Sequence, residues 1–189
     1  LLTSNKEYKS LADLKGTTIR VQENPYHIAF WSALGANPTP LAFGEVYLSL
    51  QQGMLDGQEN PYAAIIGTKL YEVQKYLYES DHIPFISTTV ASKAKMDSLS
   101  ASQKQAVYEF CYAMEWYVME NAQAAIDDEN KTCVDNGMTY IAEMPADIVA
   151  QYPAAAQASI NAMKGAVNEQ FLSDYVAAIN TVEGTSLTA

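Results

Sequence analysis

Between residues 17 and 66 the chain passes from an extended segment into a helix three times, and two of those passages use the same four residues. Residues 17–21 (Thr-Thr-Ile-Arg-Val) read as a short strand entered from a turn at Gly16. Asn24 is placed to cap a helix and Pro25 to open it, and Gly35 stands where a helix-ending glycine belongs. Asn37-Pro38-Thr39-Pro40 is a stiff turn into a second strand, residues 41–43. Residues 45–54 form the next helix, with Val46, Leu50 and Leu55 near helical spacing. After an Asp56-Gly57 turn, Asn60-Pro61 opens a third helix by the device used at Asn24-Pro25. This alternation predicts an α/β fold with a parallel-type sheet. The tetrapeptide Glu-Asn-Pro-Tyr occurs at 23–26 and at 59–62, so both copies fall at one edge of that sheet. It is the edge beyond the carboxyl ends of the strands, where open α/β sheets bind ligands.

The character changes after residue 70. The first 15 or so residues are a polar lead-in, whereas residues 83–92 read as a longer extended segment that contains Pro84, which suits an edge or crossover strand. Ser100 and Gln103 make a capping box, and nothing breaks the helix it starts before about Thr132. Residues 138–144 read as one more strand, and the Ala-rich stretch from Pro145 onward as helix interrupted at Pro153. Two units result. Residues 1–85 form an α/β ligand-binding lobe, and residues 86–189 supply a crossover strand, a long helix and C-terminal helices.

Composition narrows the classes of function. Asp and Glu outnumber Lys and Arg by 22 to 11, for a net charge of −11, which argues against a nucleic-acid binder needing a basic face. No apolar run approaches the ~20 residues of a membrane-spanning helix. Cys111 and Cys133 lie 22 positions apart in one helix, roughly 33 Å along its axis at ~1.5 Å per residue. That is far beyond disulfide reach, and neither residue has metal-ligand spacing. Catalytic sets are also missing: there is no Gly-x-Ser-x-Gly elbow, His-Glu-x-x-His pair, Gly-x-Gly-x-x-Gly turn or phosphate-loop lysine. The reading is therefore a binding protein, not an enzyme, with no cofactor. A hydrolase or isomerase is disfavoured.

Among 11 basic residues only Arg20 is an arginine. Its guanidinium, fixed in charge and able to fork onto a carboxylate, sits at a strand end three residues before a helix start. Arg20 suits an anion site, or alternatively a structural pair with Glu23 or Glu59. Asn60 is a candidate ligand contact or simply a helix cap. Phe43 would ordinarily be core, and His82 is a lone imidazole of the kind more often hydrogen-bonded into structure than acting as a base.

Several linked motifs resemble one family. Leu14-Lys15-Gly16-Thr17-Thr18-Ile19-Arg20-Val21 is similar to the D-L-K-G-x-K-I-R-V segment of TRAP (tripartite ATP-independent periplasmic) transporter solute-binding proteins. Leu34-Gly35-Ala36-Asn37-Pro38-Thr39-Pro40 resembles their L-G-A-x-P-T-P turn, and Phe43-Gly44-Glu45-Val46-Tyr47 their F-x-E-V-Y. Residues 50–61 match L-Q-x-G-x-x-D-G-x-E-N-P. The resemblance covers residues 10–85 in motif and the remainder in helical layout. It implies a periplasmic-binding-protein-like fold of two lobes joined by crossing strands and a long helix, closing on a small organic carboxylate. In that family the arginine of the I-R-V strand pairs with the ligand carboxylate and the asparagine of E-N-P hydrogen-bonds it, roles that fall on Arg20 and Asn60. Phe43 and His82 occupy positions that approach the ligand in some members, and Glu59 and Glu23 are supporting partners. The implied role is extracytoplasmic or periplasmic delivery of an organic acid, such as a sugar acid or dicarboxylate, to TRAP permease membrane subunits. The segment resembles the C-terminal portion of such a protein, without the lobe that precedes it. A ligand-sensing or protein-interaction module of the same fold is the other reading.

Overall fold

A computed structural model describes residues 1–189. Six strands make one sheet: β1 (Leu2–Ser4), β2 (Thr18–Val21), β3 (Asn37–Pro40), β4 (Gly57–Glu59), β5 (Tyr76–Tyr78) and β6 (Thr139–Ile141). Their order is β3-β2-β4-β1-β5-β6. β2 is parallel to β3 and β4, and β5 to β6, while β1 is antiparallel to both its neighbours β4 and β5. β1 alone therefore runs against the other five. The expected parallel sheet is present, but its middle is filled by the segment read as a polar lead-in. Leu2, Thr3 and Ser4 are fully buried. Thr and Ser are tolerated there because side-chain hydrogen bonds satisfy them. Gly57 makes the β4–β1 contact possible, since a Cβ at that position would lie 2.3 Å from the Thr3 carbonyl oxygen.

Helices connect the strands. They are α1 (Leu11–Leu14), α2 (Pro25–Ala33), α3 (Val46–Gln51), α4 (Tyr62–Gly67), α5 (Lys93–Asp97), α6 (Ala101–Asp135), α7 (Ala146–Val149), α8 (Tyr152–Met163) and α9 (Glu169–Glu183). Asn24 caps α2 as expected, its side-chain oxygen accepting from the Tyr26 amide at 2.9 Å. The second Asn-Pro behaves differently. α4 begins one residue later, with Pro61 at its cap position and no side-chain cap, so Asn60 is not a helix cap. β3 is built from Asn-Pro-Thr-Pro itself rather than from residues 41–43. Its two prolines are accommodated because β3 is an edge strand, where a missing ladder donor can face outward. Pro153 likewise opens α8 instead of interrupting a helix.

Strand alternation sorts the core onto two faces of the sheet. On one face Leu2, Ile19, Val21 and Tyr78 pack with Phe30 and Trp31 of α2, with Leu34 just after it, and with Ile148 and Ala155 from the C-terminal part. On the other, Leu77 packs with Val46, Leu50, Ile65 and Cys133. Residues beyond 138 thus complete the sheet begun by the first 80: β6 extends it, α8 packs along α2, and Tyr152 donates to the Ser80 carbonyl at 2.8 Å.

Ser100 and Gln103 form the expected capping box, and α6 runs 35 residues to Asp135, ~52 Å at 1.5 Å per residue. Only its last turns pack, with Cys133 buried and Asn130 donating to the Tyr62 hydroxyl at 2.7 Å. Phe110, Trp116, Tyr117 and Met119 are exposed. Cys111 and Cys133 are both free thiols. Residues 83–92, read as an extended crossover segment, pair with no strand, and Phe85, Ile86 and Val90 are exposed. No helix is long and apolar enough to cross a membrane.

Candidate ligand-binding site

The carboxyl ends of β2, β3, β4 and β5 all open onto one edge of the sheet, and every residue singled out in the sequence lies at or just beyond it. Register sets which side chains share a face. Arg20 stands opposite Gln58, Gln58 opposite Thr3, and Thr3 opposite Leu77, forming one row across β2, β4, β1 and β5. Asn60 follows Gln58 by two residues and so lies on that same face. Glu59, between them, turns to the opposite face, toward α2.

Arg20 is only 3% exposed. Its Nε and Nη2 both donate to the Leu41 carbonyl, at 2.9 and 2.7 Å. The Phe43 ring lies 5.7 Å from the guanidinium carbon, close enough for a cation–π contact. Phe43 itself is 42% exposed. It opens a 3₁₀ turn (Phe43–Glu45), and is not the core residue its sequence setting suggests. Neither Glu23 nor Glu59 forms an ion pair with Arg20. Burial lowers the Arg20 pKa, while the charges of Glu59 and then Glu23 act to raise it. The third nitrogen, Nη1, is buried and has no partner. It is one of two such side-chain atoms, the other being the indole Nε1 of Trp31 within the apolar core. A buried guanidinium N–H without an acceptor is costly, and an anion would satisfy it.

Asn60 is 9% exposed, and its Nδ2 donates to Gln58 Oε1. Its backbone N–H donates to the Leu1 carbonyl at 3.2 Å.

On the other face, Glu59 has both carboxylate oxygens occupied by imidazoles. His27 Nδ1 lies 2.8 Å from Oε1, and His82 Nε2 lies 3.1 Å from Oε2. Ser80 Oγ lies 2.9 Å from His82 Nδ1. The Phe30 and Trp31 rings enclose the same imidazole, with centroids 5.6 and 5.0 Å away. Burial pulls the His82 pKa down, with the hydrogen bond and charge of Glu59 opposing. A neutral His82 that donates from Nε2 to Glu59 and accepts from Ser80 at Nδ1 satisfies all three groups. Burial on its own would push the Glu59 carboxyl up, but hydrogen bonds from His27 and His82 hold it at about 2. Glu59 and His82 thus meet each other, joining α2 and the loop after β5 to the back of β4. Glu23 is exposed and has no hydrogen bond or ion pair.

His27, Gln58, Thr3 and Ser80 escaped the sequence reading. Gln58 and Glu59 had a signal that was available in principle. Two polar residues of the strand segment Gly57–Glu59 are buried, and polar residues in a central strand need partners, which directs attention to nearby His, Thr and Asn.

The family model described as bacterial extracellular solute-binding protein, family 7 (DctP) matches residues 1–165. The chain is 37% identical over 141 residues to the solute-binding protein RD1_1052 of Roseobacter denitrificans, covering 74% of this chain and 43% of that protein. A crystal structure of RD1_1052, a TRAP periplasmic solute-binding protein with bound L-galactonate, superposes with a TM-score of 0.69 at 32% identity, covering 83% of this chain and 52% of that one. The ectoine/5-hydroxyectoine-binding periplasmic protein UehA of Ruegeria pomeroyi is 36% identical over 128 residues, covering 68% of this chain and 38% of UehA. The chain spans about half the length of these relatives or somewhat less. It belongs to the bacterial extracellular solute-binding proteins of family 7, the DctP family, whose solved members include TRAP periplasmic solute-binding proteins.

Proposed function

We propose that the intact natural chain is an extracytoplasmic receptor that captures a small organic acid on Arg20 and delivers it to the membrane permease of a TRAP transporter. The observation that carries this reading is the unpartnered Nη1 of a 97%-buried arginine at the carboxyl edge of the sheet. Two of its nitrogens are locked to the Leu41 carbonyl and Phe43 covers its face, so the guanidinium is held in place before any ligand arrives. A ligand that finds its donor already oriented loses less free energy to ordering the site. Asn60, on the same face, supplies the second polar contact. Glu59, clasped by His27 and His82, fixes the strand end that carries Asn60. The charge of Glu23, after that of Glu59, favours the charged form of the buried guanidinium against the pull of burial. Small carboxylates, sugar acids among them, fit the class, since L-galactonate occupies the structure of one relative and UehA is named for ectoine, and both ligands carry a carboxylate.

The test is a thermal-shift series on the intact natural chain with L-galactonate, ectoine and galactitol, the last a polyol without a carboxylate. At 100 times its Kd a ligand stabilises the fold by ~2.7 kcal/mol, a rise in Tm of several degrees. At least one acid is expected to produce it, and galactitol is not. A shift with galactitol equal to that of the acids, or none with either acid, contradicts the carboxylate reading.

A further inference from the structure

We infer that Thr3, Gln58 and Gln74 form a positioning relay that fixes the orientation of the Asn60 amide for its ligand, an inference that rests on the function proposed for Asn60. The three side chains are buried, at 0, 0 and 3% exposure, and none belongs to either apolar core cluster. They are linked end to end. Asn60 Nδ2 donates to Gln58 Oε1, Gln58 Nε2 donates to Thr3 Oγ1 at 2.9 Å, and the Thr3 hydroxyl donates to Gln74 Oε1 at 2.9 Å. Gln74 Nε2 closes the chain on the Val73 carbonyl at 3.2 Å.

That last bond sets the direction of all the others. A backbone carbonyl only accepts, so the end of the Gln74 amide facing Val73 must be its nitrogen. Oε1 is then what faces Thr3, and the single hydroxyl hydrogen of Thr3 is committed to it. Thr3 Oγ1 must therefore accept from Gln58, which turns Gln58 Nε2 toward Thr3 and leaves Oε1 toward Asn60. Asn60 has only one way to answer, with its own Nδ2. An asparagine amide at a binding site could otherwise flip and offer either end to a ligand. Here a flip would set Asn60 Oδ1 against Gln58 Oε1, two acceptors facing each other in a buried row whose other links already fix Gln58. The relay crosses β4 and β1 to the segment before β5, so the middle strand of the sheet takes part in the site through Thr3. This supplies a reason for a polar residue at the centre of the sheet.

Thr3→Val keeps the side-chain shape and deletes the hydroxyl, whereas Thr3→Ser retains it. In the intact natural chain without ligand, the Asn60 side-chain N–H signals are expected to exchange with water at least ~10-fold faster in Thr3→Val, and at the wild-type rate in Thr3→Ser. With L-galactonate as probe, Thr3→Val is expected to weaken binding by ~10-fold, Thr3→Ser little, and Thr3→Val not at all in an Asn60→Ala background. A purely structural role for Thr3 would instead lower affinity equally in both backgrounds, and that result overturns the relay, as do Asn60 signals unchanged in Thr3→Val. Should wild type fail to bind L-galactonate while the Asn60 signals respond to Thr3→Val, the ligand assignment falls and the relay stands.

Discussion

Arg20→Lys is expected to weaken carboxylate binding by ~100-fold or more while leaving the protein folded. Loss of a hydrogen bond to a charged group costs about 1.5–3 kcal/mol, loss of the paired bonds to the Leu41 carbonyl adds to it, and each ~1.4 kcal/mol is tenfold in Kd. Lysine preserves the charge, so the loss isolates geometry. The guanidinium spends Nε and Nη2 on the Leu41 carbonyl and leaves Nη1 without a partner. One ammonium on a flexible stem cannot hold that carbonyl in the same two-pronged way and stay fixed under the Phe43 ring. Calorimetric titration of the wild-type and Arg20→Lys proteins with the best acid from the thermal series measures the difference. A Kd within threefold of wild type would remove Arg20 from the binding contact.

The largest effect on stability is expected at Glu59 and follows acidification. Its carboxyl titrates near 4.5 when free and at about 2 in the fold. A lowered folded value means that the stabilisation is complete above about pH 4.5 and is lost as pH falls through about 2. At ~1.4 kcal/mol per pKa unit this one group contributes on the order of 3 kcal/mol at neutral pH. The side chain is only 6% exposed, so solvent screening takes little from that figure. His82 acts in the same direction: its folded pKa lies below 6.5, so the unfolded chain takes up a proton first as pH drops below that value. The protein should therefore lose stability from about pH 6.5 downward and more steeply below about 4.5. Denaturant melts of wild type and Glu59→Gln at about pH 7 and about pH 3 test this. The variant is expected to be weaker by a few kcal/mol at the higher pH, and the gap to narrow by about 2 kcal/mol at the lower, where the unfolded carboxyl is already protonated and the folded one mostly is not. Parallel losses in both proteins would show that Glu59 does not carry the acid sensitivity.

Much of this was legible in the residues. Asn24-Pro25, Gly35 and the Ser100–Gln103 capping box are local devices whose physics does not depend on the rest of the chain, and α2 and α6 start where they place them. Arg20 stood out as the only arginine, and the structure gives it the buried, unpartnered nitrogen that an anion site requires. What escaped was long-range. Leu2–Ser4 has no local strand signal beyond its length, and its place at the centre of the sheet depends on β4 and β5, more than 50 residues away. Asn60 carries the same local pattern as Asn24 but answers to Gln58 instead of a helix, because the relay from Val73 dictates it. His82 looked solitary since its hydrogen-bond partner Glu59 lies on β4, and the Phe30 and Trp31 rings that enclose it arrive only once α2 has packed on the sheet. Local patterns reveal elements, whereas buried polar clusters assemble from several elements at once.

The contact at the centre of the proposed function is between Arg20 Nη1 and a ligand carboxylate, and a crystal structure of the intact natural chain with its best acid measures it directly. The geometry requires a carboxylate oxygen about 2.7–2.9 Å from Nη1, with the two bonds to the Leu41 carbonyl retained. A ligand bound with its carboxylate elsewhere and Nη1 still unpartnered would contradict it.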